Sequence, residues 1–432
     1  MGKKNLATAT SVTTMQQGNS VIIEVGGSIR RITLANLIDA INAGDAELLH
    51  SVAWGVPLKQ NQSSPAWGRV GNLNLWEEYK SQSGRYLVTN TGKAAKLSPV
   101  NSALYADGTT LDETDGHIMT IFPDLYYTVK MDAATSVPFL WMSMIPIGGH
   151  VIKRPCIAAY KGSMSGSALV SRSGVAPAGS KTITAFWNAA QVNGKNWGLT
   201  NYDHRKFMMM LCLSEYGNPN VQAMLGNGVT GSANGAWDAV SSAMLTGATK
   251  SLGDAMDKVD ISWTNAAGTA VTGASRVSLL GIEDPYGWQW EMIQNVYCGK
   301  SENSGQDGTE IFIYEGNRMP TAAELSTHPS GQYRQLTRLD SDGYVKTEIL
   351  GEYFDLFPTA VGGGSTSYWC DYFYRNLATG QLVLLGGAAS YGASCGLACA
   401  YSNSAFSSSG AYIGARLAYY GEIEIVNGAD IA

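Results

Sequence analysis

From Thr264 onward the chain is cut into short apolar and aromatic runs separated by Gly and Asp, and this pattern limits its possible folds more than any other feature. The runs are "SRVSLLGIEDPYGWQWEMIQNVYCG", "TEIFIYEGNRMP", "SYWCDYFYRN", "QLVLLGG" and "GARLAYYGEIEIV". Each is too short or too punctuated for a helix, and their β-branched and aromatic content reads as strands. Trp288 and Trp290 lie two apart, which in a strand puts both on one buried face. Two helical stretches come earlier. "KTITAFWNAAQVNGKNWG" sets Ile183, Phe186, Trp187 and Ala190 on one face. "TNYDHRKFMMMLCLSEYGN" starts at a Thr200/Asn201 cap and ends at Gly217, with Pro219 just beyond. Its centre, Phe207 to Leu213, is apolar nearly all round, so it predicts a buried helix whose methionines fill core. Helices followed by short strands and long loops predict an α+β chain, and loops so long imply a purpose.

The N-terminal part is legible on its own. "SVIIEVGGSIRRITL" reads as a hairpin turning at Gly26-Gly27. Thr33 then caps a helix carrying Leu34, Leu37, Ile38 and Ile41 as an apolar stripe, ended by Gly44. A hairpin and one short helix cannot bury enough surface alone, so this unit must pack against copies of itself or a larger assembly. From Ala53 to about Ser102 the text is polar with scattered Trp54, Trp67 and Trp76, and reads as an irregular β linker region. After it, "HIMTIF" and "LYYTVKM" alternate as two antiparallel strands. The resulting division is residues 1–50, a β-rich intermediate 51–150, and a C-terminal domain 151–432.

Composition excludes several classes. Only 15% of the 432 residues are charged, against about a quarter in an average soluble protein. The 22 Tyr argue against disorder. A net charge of −6 with scattered basic residues argues against nucleic-acid binding. No stretch reaches the length of a membrane span, and the first twenty residues have no apolar core of a secretory signal. Six cysteines in so long a chain do not form a disulfide framework, which points to synthesis in a reducing cytoplasm.

The chemistry-bearing motifs are weak. The Gly-rich "GNGVTGSANGAWDA" and "VGGGSTSYW" carry no P-loop lysine and read as turns. The five histidines are dispersed, and the Cys395/Cys399 pair has no histidine nearby, so no zinc site is expected. Glu283 and Asp284 could offer oxygen ligands to calcium, but turn and cap roles explain them as well. There is no nucleophile elbow, and no catalytic residue or cofactor is expected.

One stretch resists these readings. "GGAASYGASCGLACAYSNSAFSSSGAYIGARL", residues 386–417, has no charge from Ala388 to Tyr412 and is mostly Ala, Ser and Gly, with Tyr391, Tyr401, Phe406 and Tyr412 set into it. A flexible linker would need something beyond it to connect, and only a strand and a short tail follow. Tyr among small polar residues is what antibody paratopes use, because Tyr offers large contact area at low entropy cost. The stretch reads as a contact surface.

With "GIEDPYGWQWEMI", "YRNLATGQLVLLGG" and the closing "IGARL", the chain resembles the variable proteins diversified by diversity-generating retroelements, in particular phage tail proteins with a C-type-lectin-like fold. The resemblance spans roughly Ser98 to Gly421 and is most specific at the end. It implies a C-type-lectin-like (formylglycine-generating-enzyme-like) C-terminal domain and a diversified segment templated by Asn codons randomised at adenine. Carried over, the diversified, ligand-contacting positions are Ala388, Ser390, Tyr391, Ser394, Cys399, Tyr401, Asn403, Ser404, Phe406, Ser408, Gly410 and Tyr412, with the aromatics on one exposed face. Gly386, Gly387, Ile413 and Arg416 are then structural. The resemblance further implies a non-enzymatic receptor-binding adhesin on a virion tail, released by lysis and acting outside the cell. Its partners would be a bacterial surface receptor (protein or glycan), other tail proteins and two further copies in a homotrimer. The competing readings are a sulfatase-modifying-type oxidase using Cys395/Cys399 and a cellular surface-display protein.

Overall fold

The computed structural model describes residues 20–25, 28–132, 134–230, 244–264, 268–300, 309–316, 318–326, 331–336, 339, 341–375 and 380–431. Strands far outnumber helices, and the strands fall into several sheets. The expectation of an α+β chain with a C-type-lectin-like C-terminal domain is therefore overturned. Only a few stretches sustain a helical apolar period. The Gly- and aromatic-rich remainder satisfies its backbone by strand pairing instead. Among the described residues, no helix is long and apolar enough to cross a membrane.

The largest sheet runs in the order Tyr333–Leu336, Thr309–Tyr314, Trp290–Lys300, Gln381–Leu385, Ala400–Ala405, Tyr372–Tyr374, Gly343–Glu348 and Pro358–Val361. Strand Ile413–Ala415 adds to it in parallel, alongside Trp290–Met292. One face of this sheet receives the helix Tyr202–Tyr216, whose Phe207 to Leu213 are all buried with Val345, Phe373, Val383 and Leu385. Full burial of each such side chain stabilises by about 1.5–3 kcal/mol. The helix is delimited as its sequence predicts. Asn201 caps it through the His204 N–H, and Gly217 closes it at φ +58°. The other face carries Trp290, Met292, Leu382 and Leu384, covered by Ile183 and Phe186 of the helix Ile183–Gln191.

A second sheet runs Trp197–Leu199, Leu417–Tyr419, Cys156–Ala158, His117–Ile121, Gly84–Val88, Lys93–Ser98 and Glu424–Val426. It joins strands from both sides of residue 150, and the last strand lies parallel to Lys93–Ala95. A third runs His150–Ile152, Leu125–Met131, Pro138–Ser143, Trp54–Pro57 and Val70–Gly71. The two strands expected around "HIMTIF" and "LYYTVKM" both form, but in different sheets. The chain crosses between the sheets at Phe122–Asp124, where Phe122 anchors edge-on against Phe207 at 4.7 Å.

The stretch from Ala53 to Ser102 is core, not linker. Trp54, Trp67 and Trp76 are all buried. The Trp54 indole donates to Ser214 Oγ (2.8 Å) and that of Trp76 to Glu215 Oε2 (2.6 Å), both on the helix Tyr202–Tyr216. Trp67 packs edge-on to Trp369 at 4.9 Å. At the N-terminus, Ser20–Val25 and Ser28–Thr33 pair antiparallel as expected, and Thr33 caps the helix Leu34–Asn42. The Gly26-Gly27 turn lies outside the described residues. The apolar stripe of this helix and of the next, Ala46–Val52, is buried against Trp141, Ile145 and Ile147 of the same chain.

Candidate functional site

Residues 386–417 are anchored at both ends. Gly386 and Gly387 follow the strand Gln381–Leu385 with φ of +95° and +79°. A Cβ on Gly387 would meet Cys395 Sγ at 2.3 Å, so only glycine fits. At the far end Arg416 is fully buried. Its guanidinium donates to Glu291 Oε1 (2.9 Å) and to the carbonyls of Ala158, Glu283 and Asp284. Lys161 Nζ reaches the same Glu291 oxygen at 2.9 Å. Burial would raise the Glu291 carboxyl, but Arg416, Lys161 and Arg205 together hold it at about 2. Beside it, Arg276 pairs with Glu283 (2.7 Å) and Asp284 (2.6 Å). Those carboxylates are thus committed to a buried arginine. Among the described residues no cluster has the make-up of a metal site.

The middle of the segment is gripped from below. Arg205, on the buried helix, donates to the carbonyls of Pro285 (2.6 Å), Gly396 (2.8 Å) and Leu397 (2.7 Å). Asp371 Oδ2 accepts the Ala398 N–H at 2.7 Å. Burial pushes the Asp371 carboxyl up to about 8, against the pull of that N–H and of Arg205. Cys395 and Cys399 lie in this same floor, and burial raises both thiols far above their ordinary range. A thiol nucleophile needs the opposite, a lowered pKa and access, so this geometry opposes the oxidase reading.

The strand Ala400–Ala405 then alternates. Ala400, Ser402 and Ser404 point inward while Tyr401, Asn403 and Ala405 do not. Of the sequence-derived positions, Ala388, Cys399 and Ser404 are buried. Ser390, Asn403 and Tyr412 are exposed, and Tyr391, Ser394, Tyr401, Phe406, Ser408 and Gly410 are half-buried. The aromatics do not form a single row. Tyr391 and Tyr401 stand over Trp290 at 5.0 and 5.6 Å. Tyr412 is 46% exposed. Phe406 instead stacks on Tyr297 at 5.6 Å. Trp288 and Trp290 are both buried but do not share a face. Trp288 precedes the strand at φ +62°, and its ring lies under the Arg276 guanidinium at 4.2 Å.

Sequence reasoning missed three residues that continue this surface. Tyr374 pairs in register with Tyr401, and Tyr344 with Tyr372, so these four side chains share one face of three adjacent strands. Tyr374 contacts Tyr391 at 5.2 Å and Tyr401 at 5.9 Å. Tyr372 lies 4.4 Å from Tyr374 and 5.1 Å from Tyr344. The signal was present in "DYFYRN", where two tyrosines flank a phenylalanine that is buried.

No protein-family profile matches the chain, and neither does any curated protein sequence. Among solved structures it is distantly similar to the Major Tropism Determinant M1 variant (TM-score 0.26, 11% identity). The U1 variant of that protein scores 0.24, also at 11% identity. Each match covers 70% of this chain and 73% of the other.

Proposed function

We propose that the chain is a receptor-binding adhesin of a phage tail, with residues 386–417 as its diversified ligand-contacting surface. The observation that carries this is the combination of Tyr391, Tyr401 and Tyr412 at the surface with a backbone beneath them held by Arg205, Asp371 and Arg416. A binding face that varies needs side chains that can change without moving the chain that bears them. Tyr supplies contact area with few rotatable bonds, and the intervening Ser, Gly and Ala leave room to adapt. Within this reading the diversified positions reduce to the outward ones, because substitutions at Ala388, Cys399 and Ser404 would overpack the core or bury unpaired polar groups, at roughly 1–3 kcal/mol each.

The N-terminal unit serves attachment to other tail proteins and homotrimer formation, and several copies on one virion would turn weak single-site binding into avidity. The protein acts outside the cell after release by lysis and performs no catalysis. The test is binding of the purified full-length protein to a panel of bacterial strains, read by flow cytometry. Selective staining of some strains, competed by unlabelled protein, is the expected result. Uniform absence of staining overturns the reading. Diversification is tested separately on the DNA past codon 417, which should hold a near-copy of the segment differing at adenines.

A further inference from the structure

We infer that the binding face extends beyond the segment onto the sheet, through Tyr344, Tyr372 and Tyr374, and that it takes a neutral saccharide. The inference rests on the adhesin reading and adds a second half to the site and a partner chemistry. On this sheet face Leu382, Leu384 and Met292 are covered by the helix Ile183–Gln191, whereas Tyr401, Tyr374, Tyr372 and Tyr344 are half-open. The opposite-pointing Phe373 and Val345 are buried in the core below. The open tyrosines are therefore outward residues of rigid strands.

Their ring contacts run unbroken from Tyr344 through Tyr372 and Tyr374 to Tyr391 and Tyr401. Most of the contacts are edge-on or tilted, so the rings form a stepped platform rather than a closed stack. Small residues border it: Ser390 and Ala393 are exposed, and Ser394 is half-buried.

Charge selects the partner. The segment side of the platform has no ionisable charge between Ala388 and Tyr412. On the sheet side Asp342 accepts the Arg375 backbone N–H, and Lys346 lies over the Tyr368 ring at 5.4 Å. A protein surface brings charged side chains, and pressing these onto the uncharged segment side strips their water with no return there. An anionic glycan laid over the segment meets the same penalty. A neutral saccharide does not: its C–H faces lie on aromatic rings, and its hydroxyls exchange hydrogen bonds with tyrosine, serine and asparagine side chains.

The test uses the full-length protein in two assays. The first is an array of neutral and of sialylated or sulfated oligosaccharides. The second is bacterial cells pretreated with periodate, which cleaves sugar diols, or with proteinase K. Binding to neutral array members and loss on periodate-treated cells are expected. Y372A/Y374A should bind about tenfold more weakly or worse, equivalent to about 1.4 kcal/mol. Y372F/Y374F, which keeps the rings in place, should retain most of the binding and controls for misfolding. Binding that survives periodate and is lost to protease, binding confined to anionic glycans, or wild-type affinity in Y372A/Y374A each overturns the saccharide inference while leaving the adhesin reading intact. Failure to bind any cell or glycan overturns both.

Discussion

Arg205 and Asp371 hold consecutive links of one loop: the arginine takes the carbonyls of Gly396 and Leu397, and the aspartate takes the N–H of Ala398. One residue comes from the buried helix and the other from the strand edge next to Tyr372. The loop that leads into Tyr401 is thus fixed to both layers of the core.

Replacing Arg205 with methionine removes three hydrogen bonds to buried carbonyls and leaves those acceptors unpaired. Each such loss costs about 1–3 kcal/mol. R205M should lower the unfolding free energy by about 3 kcal/mol or more, measured by urea denaturation. A loss below 1 kcal/mol would mean the loop is held by other contacts.

Stability should fall as pH rises from about 6.5 to about 8. Burial raises Asp371 to about 8, so the folded state keeps a proton that the unfolded state has already released near pH 4. Glu348, buried and raised for the same reason with Asp371 adding to it, acts in the same sense. A group with a raised folded pKa gives its full stabilisation below the unfolded value and loses it as pH climbs through the folded one. Below pH 6.5, His117 (about 3) and His204 (about 4) oppose this trend, because burial lowers them and the folded state binds fewer protons. D371N should flatten the decline between pH 6.5 and 8 in urea midpoints taken across the range. An unchanged slope in D371N would show that Asp371 does not titrate there.

Gly387→Ala combines a left-handed φ of +79° with a methyl placed 2.3 Å from Cys395 Sγ. The backbone part alone costs about 1–2 kcal/mol, and the clash adds to it. Adding C395A removes the sulfur and should recover part of the loss, leaving the backbone share. Full additivity of the two single effects in thermal melts would show that the two residues do not touch.

How much of this was legible in the sequence follows from the range of the interactions. The helices Leu34–Asn42 and Tyr202–Tyr216 carry their boundaries locally, in Thr33, Asn201 and Gly217, and they form where the text places them. The structural roles of Gly387 and Arg416 also match their reading. The roles of Trp54, Trp67 and Trp76 were hidden because their partners, Ser214, Trp369 and Glu215, lie more than a hundred residues away. The pairing of the strands was hidden for the same reason: Glu424–Val426 completes a sheet begun at Gly84, and nothing near residue 424 signals that partner. At the candidate site, composition pointed to a surface but could not supply strand phase. Phase decides that Tyr401 faces out while Ser404 faces in, and register decides that Tyr374 lies beside Tyr401.

The most direct test of the account is cell binding by Y391A/Y401A/Y412A beside the wild-type protein, with melting temperature and near-ultraviolet circular dichroism recorded on the same samples. Tyr412 is 46% exposed, whereas Tyr391 and Tyr401 rest on Trp290, so a loss of about 1–3 kcal/mol in stability is expected from the two contacts. The account predicts a folded triple variant that no longer stains the strains the wild type recognises. A folded variant that stains them at wild-type intensity would contradict it.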